Sequence, residues 1–217
     1  MVDHEEVTDF ADPDSLANRV RDLRSRSGQG DRVLVGIAGK PGSGKSTLSA
    51  AVADRLGPTA VVVPMDGFHL ADVVLERLGL IDRKGAPETF DPYGFTALLA
   101  RLRREPGPVF APGFERTLEQ PVAQAVMVEP DHRVVITEGN YLLLDDPAWV
   151  GVRQLLDEVW WLDADEQLRI ERLRRRHLQF GKSSSATDAW MATVDGPNAD
   201  LVGPTARRAD LELAAIE

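Results

Sequence analysis

Three short stretches of the chain hold residues whose types and spacing suit phosphate chemistry. The first is GKPGSGKS, residues 39–46, which fits G-x-x-x-x-G-K-[ST] in full. Gly42 and Gly44 let the chain curl so that backbone N–H groups point inward at phosphate oxygens, and the helix that must follow adds positive potential from its N-terminus. Lys45 is then placed for the β and γ oxygens of a nucleoside triphosphate, and the Ser46 hydroxyl for magnesium. Gly39, Pro41 and Ser43 complete the loop, while Thr47 is expected to be a helix residue with a secondary phosphate contact. The second stretch is VVVPMDGFHL, residues 61–70, in which a β-branched run ends at Pro64 and an acid, Asp66, comes directly afterwards. The third is VVITEGN, residues 134–140, where Glu138 ends an apolar run at the place from which a Walker B acid reaches a magnesium ion and its waters. Glu in place of Asp departs from the commonest form of that site.

These side chains can act together only if one scaffold brings them to one edge. VLVGIAG, residues 33–39, predicts a fully apolar strand, and residues 46–56 predict a helix, so the loop stands between strand and helix as its chemistry requires. Further strands are expected at 60–64, 134–137, 159–162 and 211–213. Helices are expected at 12–27, where Leu16, Val20 and Leu23 recur at helical spacing, and at 69–80, 93–104 and 166–180. For 69–80 the expected apolar face is Leu70, Val73, Val74 and Leu78, with His69 either capping the helix or acting in catalysis. Proline-rich residues 106–130 predict a hairpin or extended excursion, and two short helices precede the last strand. Strands alternating with helices imply a single α/β domain, a parallel sheet covered on both faces. In such folds ligands bind beyond the carboxyl ends of the strands, which is where Asp66 and Glu138 fall.

Composition narrows the function. The 217 residues suit one generous domain, and the absence of cysteine rules out thiol catalysis, disulfides and thiolate-bound zinc, and suits a cytoplasmic setting. A formal charge of −10 argues against nucleic acid or an anionic membrane as the main partner, so any anion site is local. The acidic opening MVDHEEVTDFADPD has neither the basic start nor the apolar core of a signal peptide, and no apolar run approaches a membrane span.

With GKPGSGKST, DGFH, RKGAPETFD and TEGNYLL in order, the chain resembles the uridine kinase, phosphoribulokinase and pantothenate kinase family of P-loop kinases. It is most similar to the bacterial branch of nucleoside/nucleotide or fructose-transport-system kinases, over about residues 33–213. The resemblance implies a three-layer P-loop NTPase fold with a five-stranded sheet of order 2-3-1-4-5. It implies ATP and Mg2+, transfer of the γ-phosphoryl group to a hydroxyl of a small metabolite, and the possibility of a homodimer. Asp66 matches the family's acid beside the acceptor hydroxyl. A lid is implied at 172–186, where Arg172, Arg175 and Arg176 share one helix face and Lys182 follows. Arg172 and Arg175 match the family's lid arginines, whereas Arg169 and Arg174 read as a solvated face. An acceptor excursion spans 81–130, in which Arg83, Lys84, Glu88 and Asp91 are expected over the acceptor and Phe110, Phe114 and Arg116 opposite, the two aromatics serving as pocket wall or as core. Uridine kinases carry a His on the segment matching residues 110–116, and none occurs here, which disfavours uridine. Asn198 and the TARRAD segment fall where the family closes over adenine. Two other classes of P-loop protein fit the sequence less well. A P-loop GTPase or switch needs N-K-x-D, and Asn198-Ala199-Asp200 lacks the Lys. A non-catalytic nucleotide sensor attached to transport has no need of an acceptor-side acid.

Overall fold

The protein is described by a computed structural model over residues 9–28 and 30–215. The first eight residues, and with them most of the acidic opening stretch, lie outside the described residues. The chain enters through a two-residue strand, β1 (Asp9–Phe10), and a helix, α1 (Pro13–Arg26). The Asp12 carboxylate accepts from the Ser15 backbone N–H at 2.9 Å, and Pro13 occupies a position where no N–H is needed. Next come β2 (Val33–Ala38), α2 (Lys45–Leu56), β3 (Ala60–Pro64), α3 (Asp72–Leu78) and α4 (Pro92–Arg104). An antiparallel hairpin, β4 (Val109–Glu115) and β5 (Gln120–Val128), stands apart from the main sheet. The chain continues through β6 (Val134–Gly139), α5 (Val150–Gln154), β7 (Glu158–Asp163) and α6 (Glu166–Gln179). It closes with α7 (Ser184–Trp190), a π-turn at Met191–Asp195, α8 (Gly196–Val202) and β8 (Leu211–Ala214).

The main sheet is parallel, in the order β1-β8-β7-β2-β6-β3. The five strands expected from the sequence take the expected order, and β1 adds an unexpected sixth strand beside β8. β2 and β6 are buried along their whole length, as strands covered on both faces must be. Alternation divides their side chains between two cores. Leu34 and Ala38 join Phe95, Leu99, Tyr141, Trp149 and Trp161 on one face, while Val33, Val35 and Ile37 join Leu16, Val20, Val52 and Trp160 on the other.

The helix expected at 69–80 is shorter, and its expected apolar face is wrong. His69 bridges Phe90 in extended backbone, α3 begins only at Asp72, and Gly79 ends it in the left-handed conformation. Leu75 is the buried residue of α3, whereas Val73 (64% exposed) and Leu78 (57%) face outward. Among the described residues no helix is long and apolar enough to cross a membrane.

A candidate phosphoryl-transfer site at the carboxyl ends of the strands

Strand register sets the site. Ile37 of β2 pairs with Glu138 of β6, and Glu138 pairs with Pro64 of β3, so the three strands end level with one another. The Gly39–Ser46 loop leaves β2, Glu138 ends β6, and Asp66 follows β3 in a short 3-10 turn, Met65–Phe68. All three open onto one cleft of about 840 Å³.

The loop after β2 is shaped by its backbone. Gly42 has φ +85°, and a Cβ there would meet the Arg169 carbonyl oxygen at 2.8 Å, because α6 packs directly on the loop. Arg169 is buried and its Nη1 donates to the Pro41 carbonyl at 2.9 Å. The sequence reading of Arg169 as a solvated residue is therefore corrected: burial leaves it supporting the loop. Lys45 is buried, its Nζ donating to the carbonyls of Gly39 (3.0 Å) and Lys40 (2.9 Å). Burial lowers its pKa to about 8 against the pull of Glu138 and Asp66. The Ser46 hydroxyl donates to Glu138 Oε1 at 2.9 Å, and burial together with the Asp66 charge raises the Glu138 pKa. The Ser43 hydroxyl is buried with no hydrogen-bond partner. An orphaned hydroxyl in a curled loop at a helix N-terminus fits a phosphate oxygen. The oxygen pair of Ser46 and Glu138 fits a hard divalent cation. Among the described residues no cluster of three or more His, Asp or Glu would hold a metal alone, so a magnesium here would need phosphate oxygens as well.

On the acceptor side, Asp66 Oδ2 accepts from Arg116 Nη2 at 3.1 Å. Burial opposes the Asp66 charge, but His69, Arg116, Arg176 and Lys45 outweigh it and hold the carboxyl below its usual range. His69 is itself depressed by burial, hence neutral near pH 7, which leaves the two arginines and the lysine as the effective cations. His69 Nδ1 donates to the Asp66 carbonyl at 2.8 Å, and its ring lies between Phe90 (3.9 Å) and Phe114 (4.8 Å). It does not cap α3, whose N-cap is Ala71. Gly67 is required by contact: a Cβ there would lie 2.4 Å from the Pro112 carbonyl oxygen, so hairpin backbone rests directly on the Asp66 turn.

Of the residues expected over the acceptor, Lys84, Phe114 and Arg116 line the cleft, and Arg83, Glu88 and Asp91 do not. Arg83 and Glu88 are exposed and paired with each other at 2.5 Å, and Asp91 caps α4 by accepting from the Gly94 N–H. Phe110 is 47% exposed and is neither wall nor core. Arg172, Arg175 and Arg176 all reach the cleft. Arg172 Nη1 stands over the loop, 3.6 Å from where a Gly44 Cβ would be. Arg176, which shares that helix face but was not matched to the family's lid arginines, has the more central place: its charge bears on both Lys45 and Asp66, and it has no hydrogen bond or ion pair among the described residues. Burial and the nearby Arg116 both push its pKa down. Arg174 faces outward, paired with Asp188 and donating to Ser184 Oγ.

Sequence reasoning missed the pair His177 and Asp195, joined at 2.7 Å on the cleft wall between α6 and the π-turn. A π-turn often marks a functional position, but it leaves no residue pattern to read. The Asn198 side chain donates to the Gly85 carbonyl at 3.0 Å, which Tyr141 OH also reaches. It therefore ties down the acceptor loop and serves no base-reading motif of the GTPase kind.

A curled glycine-rich loop after the first strand of the five, an acid ending the adjacent strand and a second acid just after the strand beyond it, all opening onto one cleft, are the arrangement of a P-loop kinase. The chain matches the phosphoribulokinase / uridine kinase family over residues 34–216 and belongs to it. A fission-yeast protein (Schizosaccharomyces pombe) provisionally named uridine kinase C227.14 is 35% identical over 194 residues, covering 85% of this chain and 81% of that one. YggC of Escherichia coli K12 is 36% identical over 191 residues, covering 86% and 79%. The crystal structure of a provisionally assigned fructose transport system kinase from Silicibacter sp. TM1040 superposes with a TM-score of 0.81 at 39% identity, covering 94% and 98%. The protein is a kinase, and its family implies ATP as phosphoryl donor together with magnesium.

Proposed function

We propose that this kinase transfers the γ-phosphoryl group of ATP to a hydroxyl of a small metabolite, with Asp66 as the acceptor-side base. The observation that carries the reading is the placement of Asp66, held ionised one strand from Glu138 in the cleft that also contains Lys45 and Ser46. Gly39, Pro41, Gly42, Ser43, Gly44 and Thr47 hold the phosphates with Lys45, and Ser46 with Glu138 would hold magnesium. Magnesium bound there would neutralise charge on the β and γ oxygens. Asp66 orients the acceptor hydroxyl and takes its proton as the new O–P bond forms. The bond from phosphorus to the bridging oxygen breaks, and its electron pair leaves with ADP. Arg172, Arg175 and Arg176 meet the charge spreading over the transferring oxygens. Residues 172–186 then act as the lid and 81–130 as the acceptor wall of a single domain, with Lys84, Phe114 and Arg116 in contact with substrate.

The acceptor is read as a sugar, a sugar phosphate or another polyhydroxylated or anionic metabolite. Uridine is disfavoured because residues 110–116 supply no His to a pyrimidine edge. An ATP-consumption screen against nucleosides, pentoses, hexoses, their phosphates, pantothenate and glycerate tests the reading. ADP release should depend on at least one acceptor and be lost in Asp66→Asn. Hydrolysis indifferent to every acceptor would contradict it.

A further inference from the structure

The Arg116–Asp66 ion pair sits where the acceptor hydroxyl has to go. Asp66 Oδ2 accepts from a single guanidinium nitrogen, Nη2, at 3.1 Å. A base that must accept the acceptor's proton is thus already engaged by a cation, which also makes it a weaker base. Arg116 is not free to swing aside at no cost. It directly follows the β4 strand of a hairpin whose Pro112 carbonyl abuts Gly67, next to Asp66, and its guanidinium lies 5.8 Å from the Phe114 ring centre. The hairpin tip is tied to the acceptor loop as well, since Lys84 Nζ bonds both Asp72 (2.5 Å) and the Glu119 carbonyl.

Charge in this corner is unbalanced in favour of cations. Arg116 and Arg176 are close enough for Arg116 to depress the Arg176 pKa, and although Asp66, Asp195 and Glu119 act on it at a distance, Arg176 makes no ion pair among the described residues. Lys84 is already matched by Asp72. A guanidinium offers five N–H donors in a fork that matches a carboxylate or phosphate, and Arg116 spends one on Asp66. The hydroxyl of a neutral acceptor is a poor competitor for it, because hydrogen bonds between ions are roughly twice as strong as neutral ones. An anionic group can exchange for Asp66 one for one and keep the arginine paired, avoiding the penalty for leaving a partly buried charge alone.

We infer that the acceptor carries an anionic group, a carboxylate or a phosphate, beside the hydroxyl it presents for phosphorylation, and that this group takes Arg116 over from Asp66, releasing the base as the acceptor seats. The inference rests on Asp66 being the base. Selectivity then arises in turnover as well as binding: a neutral analogue leaves the base engaged, so binding energy from the anionic group is used to prepare the reacting centre.

The test uses the full chain with ATP, magnesium and matched acceptor pairs: glycerate and glycerol, gluconate and sorbitol, ribose 5-phosphate and ribose. The first two pairs report a carboxylate and the third a phosphate. Wild type should favour the charged member of one pair by about a hundredfold in kcat/KM, in line with the loss expected when one partner of a partly buried charge pair is removed. In Arg116→Gln that preference should collapse to about threefold, with the charged member losing and the neutral one gaining once Asp66 is released. The sharpest outcome is in Asp66→Asn. With its competitor gone, the charged acceptor should bind about tenfold tighter by calorimetry even as turnover falls, a gain that a merely structural ion pair would not give. A neutral member preferred by wild type, a charge preference unchanged in Arg116→Gln, or no tightening in Asp66→Asn overturns the exchange. Wild-type turnover in Asp66→Asn would instead overturn the base assignment itself, and the exchange with it.

Discussion

The two halves of the cleft are built differently. The half read as the phosphate side rests on a curled backbone loop and two buried side chains, Lys45 at the start of α2 and Glu138 near the end of β6, beside strands buried on both faces. On the acceptor side a hairpin outside the main sheet and a turn-rich loop are held by ion pairs and side-chain hydrogen bonds: Lys84 to Asp72, Arg116 to Asp66, and Tyr141 and Asn198 to the Gly85 carbonyl. The phosphate half is specified by one run of residues, 39–46, and an acid ending the neighbouring strand, and it suits a group common to every ATP. The acceptor half is specified by pairing across space, so exchanging a few side chains can change the metabolite without disturbing the cradle.

Breaking the phosphate half should have the largest effect. Lys45→Ala should lower kcat by about a thousandfold and weaken ATP binding as well, since it removes a charge that meets the nucleotide before and during transfer. Loss of turnover with unchanged ATP affinity would mean that Lys45 acts only in the transition state. Next are the arginines at the border between the halves. Arg176→Ala should cost about a hundredfold in kcat with little change in ATP affinity, and more than Arg175→Ala, because Arg176 alone of the two bears on both Lys45 and Asp66. Equal effects would place the transferring group nearer the exposed Arg175.

These comparisons also show what was legible in the sequence. The loop at 39–46 and the strands could be read because each rests on contiguous residues, a fixed motif or an apolar run, whereas the strand order followed only from the family resemblance. Asp66 and Glu138 could be located because they end such runs. The acceptor wall could not be resolved, since Arg83, Lys84, Glu88 and Asp91 look alike in sequence, yet Lys84 turns into the cleft while the others satisfy each other or a helix cap. The same holds for α3, whose valines look like a core face but are held outward by the extended backbone that precedes it. Arg169 and Arg174 belong to one basic helix, and only the packing of α6 on the loop separates the buried residue from the exposed one.

A smaller effect is expected where the hairpin rests on the Asp66 turn. Gly67→Ala should destabilise the protein by about 1–3 kcal/mol, as overpacking does when the obstructing atom is backbone. Thermal unfolding measures it, and a Tm equal to wild type would mean that the hairpin yields. Smallest is a pH effect at His69, which faces Asp66, Lys84 and Arg116. Its folded-state pKa lies below the ordinary 6.5, so as pH falls below that value the unfolded chain gains a proton that the folded chain refuses, and stability declines. His69→Asn should be less stable at pH 7 and lose stability less steeply below pH 6.5. Parallel acid limbs in wild type and variant would show that His69 charges freely in place.

The division of labour between the two halves is tested most directly by Asp66→Asn, assayed for ATP binding by titration calorimetry and for turnover with the acceptor found in the screen. Affinity for ATP should stay within about threefold of wild type while kcat falls by about a hundredfold or more, the range for losing a positioned base. Turnover close to wild type, or a loss of ATP binding as large as the loss of rate, would contradict the assignment of Asp66 to the acceptor.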